Sequence, residues 1–211
     1  MAVSVEAVKK LREMSGAPMM ECKKALDEAG GDLEQAFTVL RKRGQAAAAK
    51  KASRTATEGL VGSYIHAGGK IGVIIEVNCE SDFVARNSEF QQLVHDLAMQ
   101  ICATDPRFIR REEVGPEVLD REREVLRAQT AESGKPPEVV ERIVEGRLRK
   151  FFEENCLYEQ HFIKDGTGNV TISELINSRI AKFGENIVVR RFSRFKVGES
   201  VGAADADGAS N

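Results

Sequence analysis

The chain has no surplus of either charge: 31 basic and 33 acidic side chains leave a formal net charge of -2. A dedicated nucleic-acid-binding domain is usually basic as a whole, so direct nucleic-acid binding is not expected, although a local basic patch stays open. No apolar run approaches the roughly 18 residues of a membrane-spanning helix. The N-terminus shows no charged-then-apolar signal segment either. A cytoplasmic protein without a membrane partner is therefore expected. Cysteine pairs are missing too. Cys22, Cys79, Cys102 and Cys156 lie far apart with no CxxC, which reads as reduced thiols, not a disulfide framework. Histidine is limited to His66, His95 and His161. There is no P-loop, no GxGxxG after a strand and no GxSxG. These gaps leave little material for an enzyme, and no cofactor or metal centre is expected.

What is present divides along the chain. Residues 1–44 read as a three-helix docking module. Ser4 can cap a first helix with Val5, Val8 and Leu11 on one face, and "SGAP" (15–18) breaks it. Pro18 suits the first turn of a second helix ending at Gly30-Gly31. Asp32 and Gln35 have capping-box spacing for a third, which Gly44 can close. Residues 45–58 read as a basic, partly helical linker. The wider stretch 41–59 carries six basic residues and no acid before Glu58. It is either a phosphate-contacting patch or a solvated linker, and the absence of interleaved aromatics favours the linker.

Residues 59–197 read as an α+β core domain. A β-hairpin ("LVGSYIH", "AGGK", "IGVIIEVN") comes first. Ser88 and Gln91 have capping-box spacing for a helix with Phe90, Leu93, Val94, Leu97 and Ile101 on one face, which Asp105-Pro106 stops. Residues 116–155 read as an αα-hairpin turned by "SGKPP". Thr171 and Glu174 open a further helix, and "NIVVRRFSRFKVG" is the last strand. The fold class is thus α+β: a three-helix module, then a small, mainly antiparallel sheet with packed helices and a helical hairpin. Residues 198–211 have nothing to bury and are expected to be disordered.

Few residues offer chemistry. Cys79 with His66 can make a thiol nucleophile and its base only if the hairpin brings them together. His95 and Cys102 lie seven apart on one helix and would make half a metal site. Glu80 and Asp82 are neighbouring carboxylates that need not converge. Asp82-Phe83, just past a strand, reads either as a helix signal with a folded-back ring or as a probe for another protein. Met19 and Met20 are either core or an adaptable apolar surface beside a turn.

Three stretches carry a family resemblance. "LREMSGAPMMECKKALDEAGGDLEQA" (11–36) and "EVNCESDFVARN" (76–87) resemble the two signature regions of bacterial translation elongation factor Ts, and "SGKPPEVVERIVEGRLRKFFEEN" (133–155) is similar to another family stretch. Ser81 stands where the family commonly has Thr, and Pro18 where Gly is common. The resemblance implies a non-enzymatic guanine-nucleotide exchange factor for the GTPase elongation factor Tu. Asp82 and Phe83 would then be the tip that enters the GTPase near its magnesium and phosphate site. The N-terminal module, ubiquitin-associated-like by resemblance, would dock through Arg12, Met19, Met20 and Lys23, with His66 in another contact region. A single core hairpin looks like the short form, which implies a homodimer.

Overall fold

The computed structural model describes residues 3–131, 136–166 and 168–199. Three helices come first: α1 (Val5–Ser15), α2 (Met19–Glu28) and α3 (Leu33–Lys51). Their ends follow local chemistry. The Ser4 hydroxyl accepts the Ala7 N–H at 3.1 Å. Gly16, at φ 64°, closes α1 by donating its N–H to the Arg12 carbonyl, a left-handed position that favours glycine. Pro18 precedes α2 as its cap residue, and Asp32 caps α3 by accepting the Gln35 N–H at 2.8 Å. Val8, Leu11, Cys22, Ala25, Leu26 and Ala36 form a small buried core among the three.

Gly44 does not close α3. The helix runs seven residues further, to Lys51, because Gly44 is where α3 crosses another helix, α8 (Ile172–Phe183). A Cβ at Gly44 would lie 3.6 Å from the Asn177 carbonyl oxygen. Tertiary packing here overrides the glycine's cost of roughly 0.5–1 kcal/mol relative to alanine. That spacing is ordinary contact, so Gly44→Ala is expected to stabilise the protein by about 0.5–1 kcal/mol. Urea unfolding checks it, and a loss of stability would show that the crossing tolerates no added atom.

The core domain is built on three antiparallel strands in the order β1 (Glu58–Ile65), β2 (Ile71–Cys79), β3 (Val188–Lys196). Val73, Ile75, Val77 and Cys79 of the central strand point inward. They meet Phe90, Leu93, Val94, Leu97 and Ile101 of α5 (Ser88–Thr104) in one buried cluster, which Ile172, Ile176 and Ile180 of α8 join. α5 is capped by Asn87, whose side chain accepts the Glu89 N–H at 2.8 Å, so the helix starts at Ser88 itself and the Ser88–Gln91 box does not form. The Thr171–Glu174 box does form in both directions. The helical hairpin is α6 (Pro116–Ala131) and α7 (Pro137–Asn155), closed over Val114, Leu126, Val144, Leu148, Phe152 and Cys156. Its turn at 132–135 and the tail from residue 200 lie outside the described residues.

Helices cover one face of the sheet. On the other, Val61, Ile65, Ile74, Phe195 and Val197 remain half to three-quarters exposed. The register places Ile65, Gly72 and Phe195 in one cross-strand row, and Ser63, Ile74 and Ser193 in the next but one.

Candidate functional site

The stretch after β2 is not the loop its sequence implies. Residues Asp82–Ala85 form a single helical turn, α4. Ser81 caps it, its hydroxyl accepting the Val84 N–H at 3.4 Å. Val84 and Ala85 turn inward and are buried, while Phe83 is 80% exposed. The ring is therefore not folded back over the next helix. Asp82 pairs with Arg86 at 3.0 Å across one turn, both side chains largely in water, so that pair adds little stability.

The corner holding this turn is tightly bonded. Glu185, on the approach to β3, accepts the backbone N–H groups of Glu80 and Ser81, each at 3.1 Å, and the Ser81 hydroxyl at 2.6 Å. Glu80 reaches back and accepts the Asn186 N–H at 2.6 Å. The buried Asn186 amide donates to the Arg54 carbonyl at 2.8 Å, and the Arg54 guanidinium lies 3.6 Å from Glu80. Sequence reading missed Glu185 and Asn186, which lie about a hundred residues from the motif they support and form no local pattern with it.

Cys79 belongs to this corner as a structural group. It is fully buried, and its thiol lies 3.2 Å from the Ser81 carbonyl oxygen, to which it donates. Burial, and after it the Glu185 carboxylate, pushes its pKa up to about 11. His66 sits at the far end of the hairpin, since Glu58 pairs with Cys79 and Ile65 with Gly72. Seven residues of strand put the two roughly 23 Å apart or more. The thiol–imidazole pairing is thus ruled out. Burial also pushes Cys156 up to about 11. Alkylation of both thiols in the native protein at pH 8 is expected to be far slower than in urea, because a raised pKa leaves less thiolate at any given pH. Mass spectrometry of iodoacetamide-treated protein reads this directly. Rapid native labelling of Cys79 would contradict the packing.

His95 is exposed and Cys102 buried on the same helix, and no three His, Cys, Asp or Glu among the described residues are grouped to hold a metal ion. The arginines of the basic stretch are paired within the protein. Arg41 pairs with Glu174, and its Nε donates to Glu174 Oε1 at 2.7 Å. Arg43 bridges Glu21 and Glu28. With Arg54 on Glu80, all three arginines serve internal contacts, while Lys42, Lys50 and Lys51 take no part in these pairs.

Arg12, Met19, Met20 and Lys23 all point to solvent on α1 and α2. Met19 and Met20 are 40% and 62% exposed, while Cys22, Ala25 and Leu26 fill the module's core. Neither methionine is core. His66 is exposed, its Nδ1 3.3 Å from the Tyr64 hydroxyl. No helix among the described residues is long and apolar enough to cross a membrane.

Residues 7–171 match the protein family described as elongation factor TS. The chain belongs to the elongation factor Ts family. It is 59% identical over 199 residues to elongation factor Ts of Koribacter versatilis, covering 94% of this chain and 90% of that one. It is 57% identical over 199 residues to that of Caldanaerobacter subterraneus, covering 94% and 98%. To that of Geobacter sulfurreducens it is 54% identical over 207 residues, covering 98% and 95%. Elongation factor Ts proteins are factors of protein biosynthesis, and this α+β chain of helices and a small antiparallel sheet is one of them.

Proposed function

We propose that the protein is a non-enzymatic guanine-nucleotide exchange factor that accelerates GDP release from elongation factor Tu. The observation that carries this reading is the exposed phenyl ring of Phe83 on a braced corner, beside the Asp82 carboxylate. An exposed ring is free to insert into a partner, and aromatic side chains are enriched at protein–protein interfaces. Burying it there yields roughly 1.5–3 kcal/mol. A nanomolar nucleotide complex is worth about 12 kcal/mol. The ring alone therefore cannot expel the nucleotide. It acts by shifting the elements that hold Mg²⁺, an ion that demands near-ideal octahedral geometry.

The N-terminal module, read as a ubiquitin-associated-like bundle, docks on the GTPase through Arg12, Met19, Met20 and Lys23 and stabilises its nucleotide-free form. His66 makes a further contact from the other end of the hairpin. Linkage makes the effect mutual: the factor weakens nucleotide binding as much as nucleotide weakens the factor. No cofactor, membrane or direct nucleic-acid contact enters this scheme, and it operates in the cytoplasm. The test is stopped-flow release of fluorescent GDP from elongation factor Tu. Release is expected to accelerate with factor concentration and to saturate. No acceleration at any concentration would reject the proposal.

The factor works as a homodimer on this reading. Much of the apolar stripe of the helical hairpin packs inside it, with Val144 and Leu148 buried, although Val125 and Val139 stay partly exposed. The larger uncovered apolar face is that of the sheet: Val61, Ile65, Ile74, Phe195 and Val197. Such a face suits a second copy of itself about a twofold axis.

A further inference from the structure

We infer that Glu185 is a positioning residue for the exchange reaction proposed above, holding Phe83 at the angle from which it acts. The inference rests on that reading of function. Its support is a chain of bonds from Glu185 to the tip. The two carboxylate oxygens take three donors from the β2–α4 corner: Glu80 N–H, Ser81 N–H and the Ser81 hydroxyl. The hydroxyl has one proton, and it goes to Glu185. Its lone pairs are left to accept the Val84 N–H, which is the cap of the one-turn helix carrying Phe83. Glu185 therefore decides which way the capping oxygen faces.

A four-residue helix cannot hold itself, because nucleating the first turn fixes several dihedrals for one hydrogen bond. The brace must come from outside, and two opposed contacts supply it. Glu185 grips the corner at Glu80 and Ser81, while Glu80 grips the backbone of Asn186, the residue after Glu185. Two backbone corners distant in sequence are thus each held by the other's carboxylate. The bonds from Glu185 to the backbone amides are charge-assisted, the stronger class of hydrogen bond. Positioning of this kind acts on rate more than on affinity, since a misaimed ring still leaves the helical module free to dock.

The experiment is GDP release from elongation factor Tu, titrated with wild type, Glu185→Ala, Glu185→Gln, Phe83→Ala and the Phe83→Ala/Glu185→Ala double variant. Glu185→Ala is expected to lower the maximal release rate roughly tenfold, with the half-saturating concentration changed less than about threefold. Glu185→Gln should fall between, since its amide oxygen accepts N–H donors but its NH2 cannot accept the Ser81 proton. In the Phe83→Ala background, removing Glu185 should cost nothing more, because residues that act through one another are not additive. A general loss of folding would instead lower both backgrounds alike. Should Glu185→Ala fail to fold, Glu185→Gln carries the same test. Hydrogen exchange of the Glu80 and Ser81 amides supplies the second readout and is expected to quicken in Glu185→Ala.

A wild-type maximal rate in Glu185→Ala, or a full additional loss in the double variant, overturns the inference. If wild type itself fails to release GDP, the exchange reading falls, and unchanged amide exchange in Glu185→Ala would then dispose of the brace on its own.

Discussion

Phe83→Ala is expected to reduce the maximal rate of GDP release by roughly 10- to 100-fold while the half-saturating concentration moves less than about threefold. The size follows from the ring: burial of a phenyl in a partner is worth about 1.5–3 kcal/mol, and each 1.4 kcal/mol is a factor of ten. That the loss falls on rate follows from where the ring sits. Phe83 is 80% exposed and belongs to a different element from Arg12, Met19, Met20 and Lys23, so the docking contacts survive its removal. The substitution should also leave stability within about 0.5 kcal/mol, as is usual for a surface side chain. Val84 and Ala85, which anchor the turn, stay in place. Stopped-flow release with increasing factor, paired with urea unfolding, separates these effects. A rate that survives Phe83→Ala would move the work to Asp82 and the helical module. A rise in half-saturating concentration alone would make the ring a docking contact rather than a lever.

Much of the architecture is legible from residue patterns, for reasons that can be named. Ser4, Asp32 and Thr171 act as helix caps because a short polar side chain before an apolar-periodic run has few other uses. The hairpin reads plainly because Val, Ile and Tyr alternate around a Gly-Gly turn. Asp82 and Phe83 stand out only through the family motif, since an aromatic after a strand has two ordinary meanings, and exposure of the ring excludes only the folded-back one. Gly44 misleads because local propensity says stop, while packing of α3 against α8 carries the helix on through it. Ser88 misleads by a single residue: Asn87 caps equally well and lies closer to the end of α4. Glu185 was out of reach. Its role comes from tertiary placement beside Ser81, and nothing in "FGENIVV" distinguishes a brace from a surface acid. The arginines at 41, 43 and 54 likewise look like a free basic patch until their carboxylate partners, drawn from three separate segments, are seen.

Ile74→Asp is expected to convert the proposed dimer to a monomer, raising its dissociation constant by more than about a thousandfold. Ile74 lies at the middle of the central strand on the uncovered face, flanked by Ser63 and Ser193 in its cross-strand row. About a twofold axis the same patch serves both copies, so one substitution places two carboxylates in one interface. Each must lose water without gaining a partner, and like charges face each other. Several kcal/mol per dimer is a reasonable cost, and about 4 kcal/mol already gives a thousandfold change. The monomer's own fold should hold, because Ile74 is 51% exposed and its neighbours Val73 and Ile75 carry the inward packing. Light scattering at micromolar concentration reads the change, with unfolding as the control. Wild-type protein that already runs as a monomer would end the dimer proposal at once. The exchange assay then asks what the second copy is for. If it completes the surface that grips the GTPase, Ile74→Asp should raise the half-saturating concentration while the Phe83-dependent maximal rate persists. A monomeric variant that binds and exchanges like wild type would make the second copy dispensable, and each chain a complete exchange factor by itself.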